Sequence, residues 1–584
     1  MAIFAIGFKG SAVLLFQALK QAWHEGYSFQ SLRSDMVAGI TVGVVAIPLG
    51  MALAIAVGVP PQHGLYTVIV AGLLAALLGG SRFNISGPTA AFVVILLPIT
   101  QQYGLSGLML ATMMSGVILF IMGIFRLGQL VAYVPAPVTT GFTAGIGLTI
   151  AFLQFKDLLG LTVITNPIHF PEKVMAYASA MPTLNLSDAL VGVATIVVFI
   201  GWAKLKTKLP PHVVALVAGT GLALVLNQLG GAQVGLLGEK FHYQIGDIVG
   251  NGIPQVLPQF ILPWQDANVS WGLVVELLPA AFTIAMLGCI ESLLCAVVAD
   301  GMTGTKHNSN GELVGQGLAN IVVPFFGGIP ATAAIARTAT NIRAGAFSPV
   351  SAIVHALFVL AAMIALAPAL SYIPMSALAG LLIMVAWNMS EAPHFVRTLK
   401  VAPRRDVAVL LTCFTLTVVF DMVIAVVVGL LLAGLLFIQR IASLTTVDKV
   451  EGGHPHQNFG DDVMVYDFNG PLFFAASEKA LGVIDHTAPG TRAVVMDFSG
   501  VSTIDITAIH AFESALERVK QYPVYLLGVA GHIETKLHNA GVLAADNVQL
   551  SVSSELLREQ LMIKGHNVRP QESTPPSVSL YTAS

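Results

Sequence analysis

Charge is what this sequence has least of. Only 10% of its 584 residues are Asp, Glu, Lys or Arg, against about 25% in an ordinary soluble domain. That shortage excludes a typical cytosolic enzyme, a disordered chain and a nucleic-acid binder. The formal net charge is −3, so no basic field exists to draw in polyanions. Three cysteines cannot build a disulfide framework. Cys289, Cys295 and Cys413 all fall in apolar runs and read as small buried hydrophobes. No catalytic constellation is visible, so the chain does not read as an enzyme, and no cofactor or metal is expected.

What is present is apolar. Hydrophobic residues make up 55% of the chain, and the mean hydropathy is +0.80. Between Asp35 and Arg82, between Arg82 and Arg126, and between Arg126 and Lys156 there is no charged residue. Each block matches or exceeds the ~20 residues a helix needs to cross a bilayer. Gly, Pro or polar breaks such as Val59-Pro60-Pro61-Gln62-His63-Gly64 split the longer ones. The pattern predicts about fourteen membrane segments, near 36–58, 64–80, 88–99, 106–125, 134–153, 188–203, 211–230, 274–299, 312–326, 331–343, 349–367, 374–388, 406–420 and 422–439.

Orientation follows from basic residues in short loops. Arg82, Arg126, the run Lys204 to Lys208 and the stretch Arg397 to Arg405 fall on one side if the N-terminus is cytoplasmic. Both termini are then cytoplasmic, in a plasma membrane. The N-terminus lacks the pattern of a cleaved signal peptide, since Lys9 and Lys20 follow the first apolar residues. Residues Phe16 to Arg33 read as one interfacial helix. The whole divides into an N-terminal piece (1–33), a transmembrane domain (34–441), a linker (442–462), a soluble domain (463–560) and a disordered tail (561–584).

Two membrane segments are too short to span. One follows Gly79-Gly80 and opens at Ser86-Gly87-Pro88-Thr89-Ala90-Ala91. The other follows Gly327-Gly328-Ile329-Pro330 and opens at Thr332-Ala333-Ala334. Thr89 and Thr332 stand 243 residues apart, and Val134-Pro135 and Ile373-Pro374 recur with a similar offset, each with a glycine six residues past its proline, Gly141 and Gly380. The chain therefore reads as two similar halves. An odd number of spans per half inverts the second, and paired Gly/Pro-interrupted half-helices mark a transport site near the bilayer midplane. A half-helix beginning inside the membrane leaves its first N–H groups unpaired, and its dipole adds partial positive charge there. Two such ends facing each other make an anion site without any cationic side chain.

Glu291 lies well inside a span, where a lone carboxylate is costly and is a functional candidate by default. It suits a group that takes and releases a proton during transport; a structural bond to a neighbouring helix is the alternative. The offset of 243 maps it onto Pro48 of the first half. Arg337, in the second half-helix, either supplies charge for an anion or pairs with a carboxylate. His355 reads as a core histidine, Asp421 as part of a hairpin turn, and Arg343 as the cytoplasmic end of its helix. Asp300 and Glu312 bracket a polar cytoplasmic loop.

After Arg440 the composition shifts. Residues 463–468, 493–498 and 524–529 read as strands, and 476–484 and 508–520 as helices. That alternation gives an α/β domain.

Asp35-Met36-Val37-Ala38-Gly39-Ile40-Thr41 leading to Ala46-Ile47-Pro48, both half-helix motifs, Glu291 and the α/β tail together resemble the SulP anion transporters. More narrowly, the stretches 81–96 and 290–307 resemble the bacterial C4-dicarboxylic acid carriers of that family. The resemblance implies an α-helical membrane protein built as a 7+7 inverted repeat with core and gate domains, as in nucleobase carriers. It implies elevator-like alternating access, a homodimer in membrane lipid, and a cytoplasmic STAS domain with its own protein partner. It places substrate binding at Ser86, Gly87, Pro88, Thr89, Ala90, Ala91, Gly328, Ile329, Thr332, Ala333 and Ala334, with Pro48 and Leu49 beside them, and coupling at Glu291. Leu49 stands where many sulfate-type relatives carry Gln. Glu291 and Cys295 stand where sodium-coupled relatives carry Asp and a hydroxyl, and the lost oxygen disfavours a hard cation. In the STAS loop Ser502 to Thr507, the position phosphorylated in sigma-factor antagonists falls on Ile506, with Thr507 adjacent.

The expected function is proton-coupled symport of C4-dicarboxylates such as succinate, fumarate or aspartate. Sulfate or bicarbonate transport is the alternative within the class. A membrane-anchored signalling scaffold acting through the STAS domain is the alternative outside it.

Overall fold

The computed structural model describes residues 15–565 except 130–133, 165–166, 168–169, 206, 208, 230–232, 246–247, 265–269, 421, 451–458, 460–461, 485–489 and 552. Asp421 and residues 566–584 of the expected tail lie outside the described residues. The chain falls into two units, Met1–Leu431 and Leu432–Ser584.

In the first unit, α1 (Gln17–His24), α2 (Phe29–Val57), α3 (Pro61–Leu78), β1 (Ser86–Gly87), α4 (Ala90–Ile124) and α5 (Ala136–Leu153) come first. Next are α6 (Leu186–Lys204), α7 (Pro211–Leu229) and a hairpin of β2 (His242–Ile245) and β3 (Ile248–Asn251). Then follow α8 (Trp271–Thr303), α9 (Ser309–Val322), β4 (Thr332–Ala333), α10 (Ile335–Arg343), α11 (Val350–Leu370), α12 (Met375–Ser390), α13 (Arg404–Val419) and α14 (Met422–Ala442). The boundary between the units falls within α14.

Among the described residues, ten helices are long and apolar enough to cross a membrane. The fourteen expected segments map onto these ten and three shorter helices, α9, α10 and α13, with α4 holding two. Gly104, at φ 66° and ψ −168°, breaks α4 at the polar Thr100–Gly104 stretch. The expected helix Phe16 to Arg33 is two helices. Gly26 takes φ 90° and stops α1, and Ser28 caps α2 by accepting the Ser31 N–H at 3.1 Å.

The helix ends follow their local chemistry. Ser270 caps α8 by accepting the Leu273 N–H at 3.1 Å, and Gly304 ends it in the left-handed region at φ 72°. Membrane helices gain little from the hydrophobic effect against one another, so close backbone approach carries their association. Here α4 crosses α9 where Gly116 faces Gly317; a β-carbon on either would strike the other helix's backbone.

The second unit is a five-stranded sheet of order β5 (Thr446–Val450), β6 (Val463–Asn469), β7 (Ala493–Gly500), β8 (Val524–Leu527), β9 (Val548–Ser551). The first pair is antiparallel and the rest are parallel. Strand β5 falls in the stretch read as linker, and β9 was not foreseen: both are short and lack a continuous apolar run. Alternate residues bury opposite faces. Tyr466, Phe468 and Phe498 pack with α15 (Ile506–Arg518), while Val465, Val495 and Tyr525 pack with Leu557 of α16 (Ser554–Gly565). Ile506, exposed, opens α15 behind the cap Asp505, which accepts the Ala508 N–H at 2.8 Å.

Candidate functional site

The two Gly/Pro breaks meet. β1 and β4 form an antiparallel pair with Ser86 opposite Ala333 and Gly87 opposite Thr332. Helices α4 and α10 leave that pair in opposite directions, starting at Ala90 and Ile335. Neither start is capped by a side chain: Thr89, the residue before α4, uses its hydroxyl elsewhere, and Ala334 has none to offer. Both first turns therefore lack a side-chain cap, that of α4 buried and that of α10 exposed at Ile335 and Ala336, and such N–H ends favour negative charge.

The pairing corrects one detail of the repeat. Ser86 and Thr332, and Gly87 and Ala333, are each 246 residues apart and exchange places across the ladder. Thr89 and Thr332 are thus not equivalents. Thr89 sits just before a helix, while Thr332 lies within a strand.

Helix α8 lays one stripe against the pair, at the helical spacing of Gly288, Glu291, Ser292 and Cys295. The Thr89 hydroxyl donates to a Glu291 carboxylate oxygen at 2.8 Å. Ser292 Oγ and Thr332 Oγ1 share a hydrogen bond of 2.7 Å, and Thr332 Oγ1 also reaches the Gly288 carbonyl at 3.2 Å. The Ala333 N–H donates to Ser292 Oγ at 3.3 Å. Cys295 Sγ donates to Thr338 Oγ1 at 3.1 Å, and that oxygen accepts the Ile85 N–H at 3.0 Å.

Arg337 stands on the first turn of α10 and is buried. Its Nη2 donates back across the ladder to the Pro88 carbonyl, while Nη1 is buried without a partner beside the Cα face of Gly87. A β-carbon at Gly87 would stand 2.7 Å from that guanidinium nitrogen and oblige it to shift. Glu291 and Arg337 lie close enough to feel each other's charge.

The remaining sequence-derived residues divide. Ser86 spends its hydroxyl on Gln316 Oε1 at 3.1 Å. Ala90 and Ala91 are buried in the first turn of α4, and the Ala334 N–H donates to the Ile85 carbonyl at 3.0 Å. Gly328 and Ile329 form the turn before β4, pinned where the Ile329 N–H donates to Thr67 Oγ1 of α3 at 2.7 Å. They hold the second break in place and are not part of either helix start. Pro48 and Leu49 are buried in the middle of α2, where the proline removes one helical hydrogen bond. His355 is buried in α11 with neither ring nitrogen hydrogen-bonded.

Sequence reasoning missed Ser292, Thr338, Asn84, Gln316 and Asn320. It also left Glu312 at the edge of a loop, whereas the structure buries it within α9. The available signal was the spacing of four between Glu312, Gln316 and Asn320 in an otherwise small and apolar helix. Among the described residues no group of three or more His, Cys, Asp or Glu could hold a metal ion.

A model of the sulfate permease family matches residues 32–413, and one of the STAS domain matches residues 455–555. A protein of Bacillus subtilis (strain 168), "Putative sulfate transporter YvdB", is 40% identical over 523 residues, covering 89% of this chain and 95% of its own. The bicarbonate transporter BicA of Picosynechococcus is 30% identical over 539 residues, covering 87% and 91%. The solved structure of murine Solute Carrier 26 family member A9, in the inward-facing state, superposes with TM-score 0.80 at 18% identity, over 96% of this chain and 95% of that one. The transmembrane domain of a cyanobacterial BicA gives 0.58 at 29% identity, over 70% and 98%.

Proposed function

The chain belongs to the sulfate permease family and carries a STAS domain; from that premise we propose that it is a secondary carrier binding its anion between the starts of α4 and α10, with Glu291 taking the coupled proton. That it is a multi-pass membrane anion transporter follows from the family itself. The proposal concerns the site, the ion and the anion.

One observation carries it: the hydrogen bond from Thr89, at the uncapped start of α4, to Glu291, with buried Arg337 across the ladder. Ionised Glu291 and Arg337 together sum to zero charge. Protonation of Glu291 leaves the arginine and two helix ends as net positive, so an anion is held better when the proton is bound. Linkage makes the effect mutual: the anion also favours the proton. Co-binding of the proton removes one negative charge from the load that crosses the low-dielectric interior, leaving it neutral for a monoanion and at −1 for a dianion. This supports symport by alternating access.

The names of the relatives support sulfate or bicarbonate as the anion. The C4-dicarboxylate reading rests on the motifs at 81–96 and 290–307 and on Leu49. Uptake of labelled succinate, sulfate and bicarbonate into proteoliposomes, with and without an inward proton gradient, decides among them. Gradient-stimulated uptake of one, blocked only by excess of its own kind, identifies the anion. Uptake insensitive to the gradient removes Glu291 from the coupling role.

A further inference from the structure

Helix α9 is tied to both breaks. Its residues Glu312, Gln316 and Asn320 recur every four positions and so share one face. Glu312, at the N-terminal end, accepts three hydrogen bonds: the Gly80 N–H at 3.0 Å, the Ser81 N–H at 2.9 Å and Asn84 Nδ2 at 2.7 Å. Gln316, one turn on, accepts the Ser86 hydroxyl in β1. Asn320, a further turn on, donates to the Ala331 carbonyl at 2.9 Å and accepts the Ala331 N–H at 2.8 Å, just before β4. All three side chains are buried. The glycines on both sides serve the same fit. A β-carbon at Gly315 would strike the backbone of Gly79, and one at Gly80 would strike the backbone of Asn308 and Glu312.

We infer that Glu312, Gln316 and Asn320 are positioning residues, a polar spine that sets the spacing of the two breaks and thereby the affinity for the anion. A buried side chain that satisfies both the N–H and the C=O of one loop residue fixes that residue in place, and losing it strands two polar groups. The hydrogen-bonded network makes the three act together. Because β1 and β4 also pair with each other, loosening Asn320 is felt at residues 84–91 as well as at 331. The inference rests on the reading that the anion binds between the two helix starts.

The test uses the full chain. In nanodiscs, backbone hydrogen exchange is followed over 84–91 and 329–338 for Asn320→Ala, for Asn320→Asp, which keeps the acceptor for the Ala331 N–H, and for Gln316→Met. Exchange in both stretches is expected to rise about tenfold in Asn320→Ala, with Asn320→Asp intermediate and peptides of α2 and α11 unchanged. Wild-type protection of 84–91 in Asn320→Ala overturns the inference without reference to any substrate.

Uptake of labelled succinate, sulfate and bicarbonate supplies the second readout. Gln316→Met is expected to raise KM about tenfold while the maximal rate stays within about twofold. Thr89→Val separates the two claims. If Thr89→Val raises KM and Gln316→Met does not, the spine fails and the site stands. If Thr89→Val leaves KM unchanged, the site reading fails, and the exchange data judge the spine alone.

Discussion

The two breaks share a backbone and differ in their side chains. Both enter as a strand pair, both open an uncapped helix and both pack against α8, and α9 holds the first through Gln316 and the second through Asn320. The first contributes Thr89, a neutral donor aimed at Glu291; the second contributes Arg337, a buried cation that reaches back to the first. The shared part makes a place for negative charge out of peptide groups alone. The unshared part makes that place responsive, because one carboxylate that can be neutralised sits beside one guanidinium that stays charged. A symmetric pair of helix ends binds an anion equally well at any proton concentration. In the mechanism we propose, coupling comes from the asymmetry.

Removing the second break's cation should have the largest effect. Arg337→Met is expected to lower anion uptake about a hundredfold, since it takes one charge from a buried arrangement worth 2–5 kcal/mol, roughly thirty- to several-thousand-fold. Initial rates at a fixed proton gradient check this, and a loss under about fivefold makes the helix ends sufficient by themselves. Glu291→Gln is expected to abolish stimulation by the gradient while binding persists in part; equilibrium binding at two pH values beside uptake tests both halves. Thr89→Val removes one hydrogen bond to a charged acceptor, about 1.5–3 kcal/mol, and should raise KM about tenfold or more. An unchanged KM would defeat the reading of the site between the two helix starts.

The smallest effect is expected at the edge of the first break. There Glu25, just after α1, pairs with Arg82, and that hydrogen-bonded guanidinium holds its carboxyl below the usual range. A carboxylate held low contributes stability above its unfolded pKa and loses it as pH falls through the folded one. Glu25→Gln should therefore narrow the difference in thermal midpoint between pH 7 and pH 4, by a small amount because Glu25 is half exposed. No narrowing would mean that the pair is silent.

Much of this was legible in the residues. Charge-free runs gave the spans, paired Gly and Pro gave the breaks, and a lone Glu291 gave the coupling candidate, because each breaks a strong rule of membrane composition. What stayed hidden is what depends on register. The offset between Thr89 and Thr332 follows similarity of letters, whereas the β1–β4 ladder makes equivalents of residues 246 apart, Ser86 with Thr332 and Gly87 with Ala333. Gln316 and Asn320 look like ordinary polar residues of a short helix until the loops they hold are seen. Gly26 splits the expected interfacial helix through a single left-handed residue. Strand β5 escaped notice because Thr446–Val450 alternates weakly and finds its partner only in β6.

The central claim is that the anion and the proton bind together at one site. Proteoliposomes carrying the wild-type chain or Glu291→Gln, loaded at one pH and diluted into another, report it directly through the rate of labelled anion uptake. The expected result is uptake that an inward proton gradient accelerates in the wild type and leaves unchanged in the variant. Equal acceleration in both would contradict the claim and move the proton to another group.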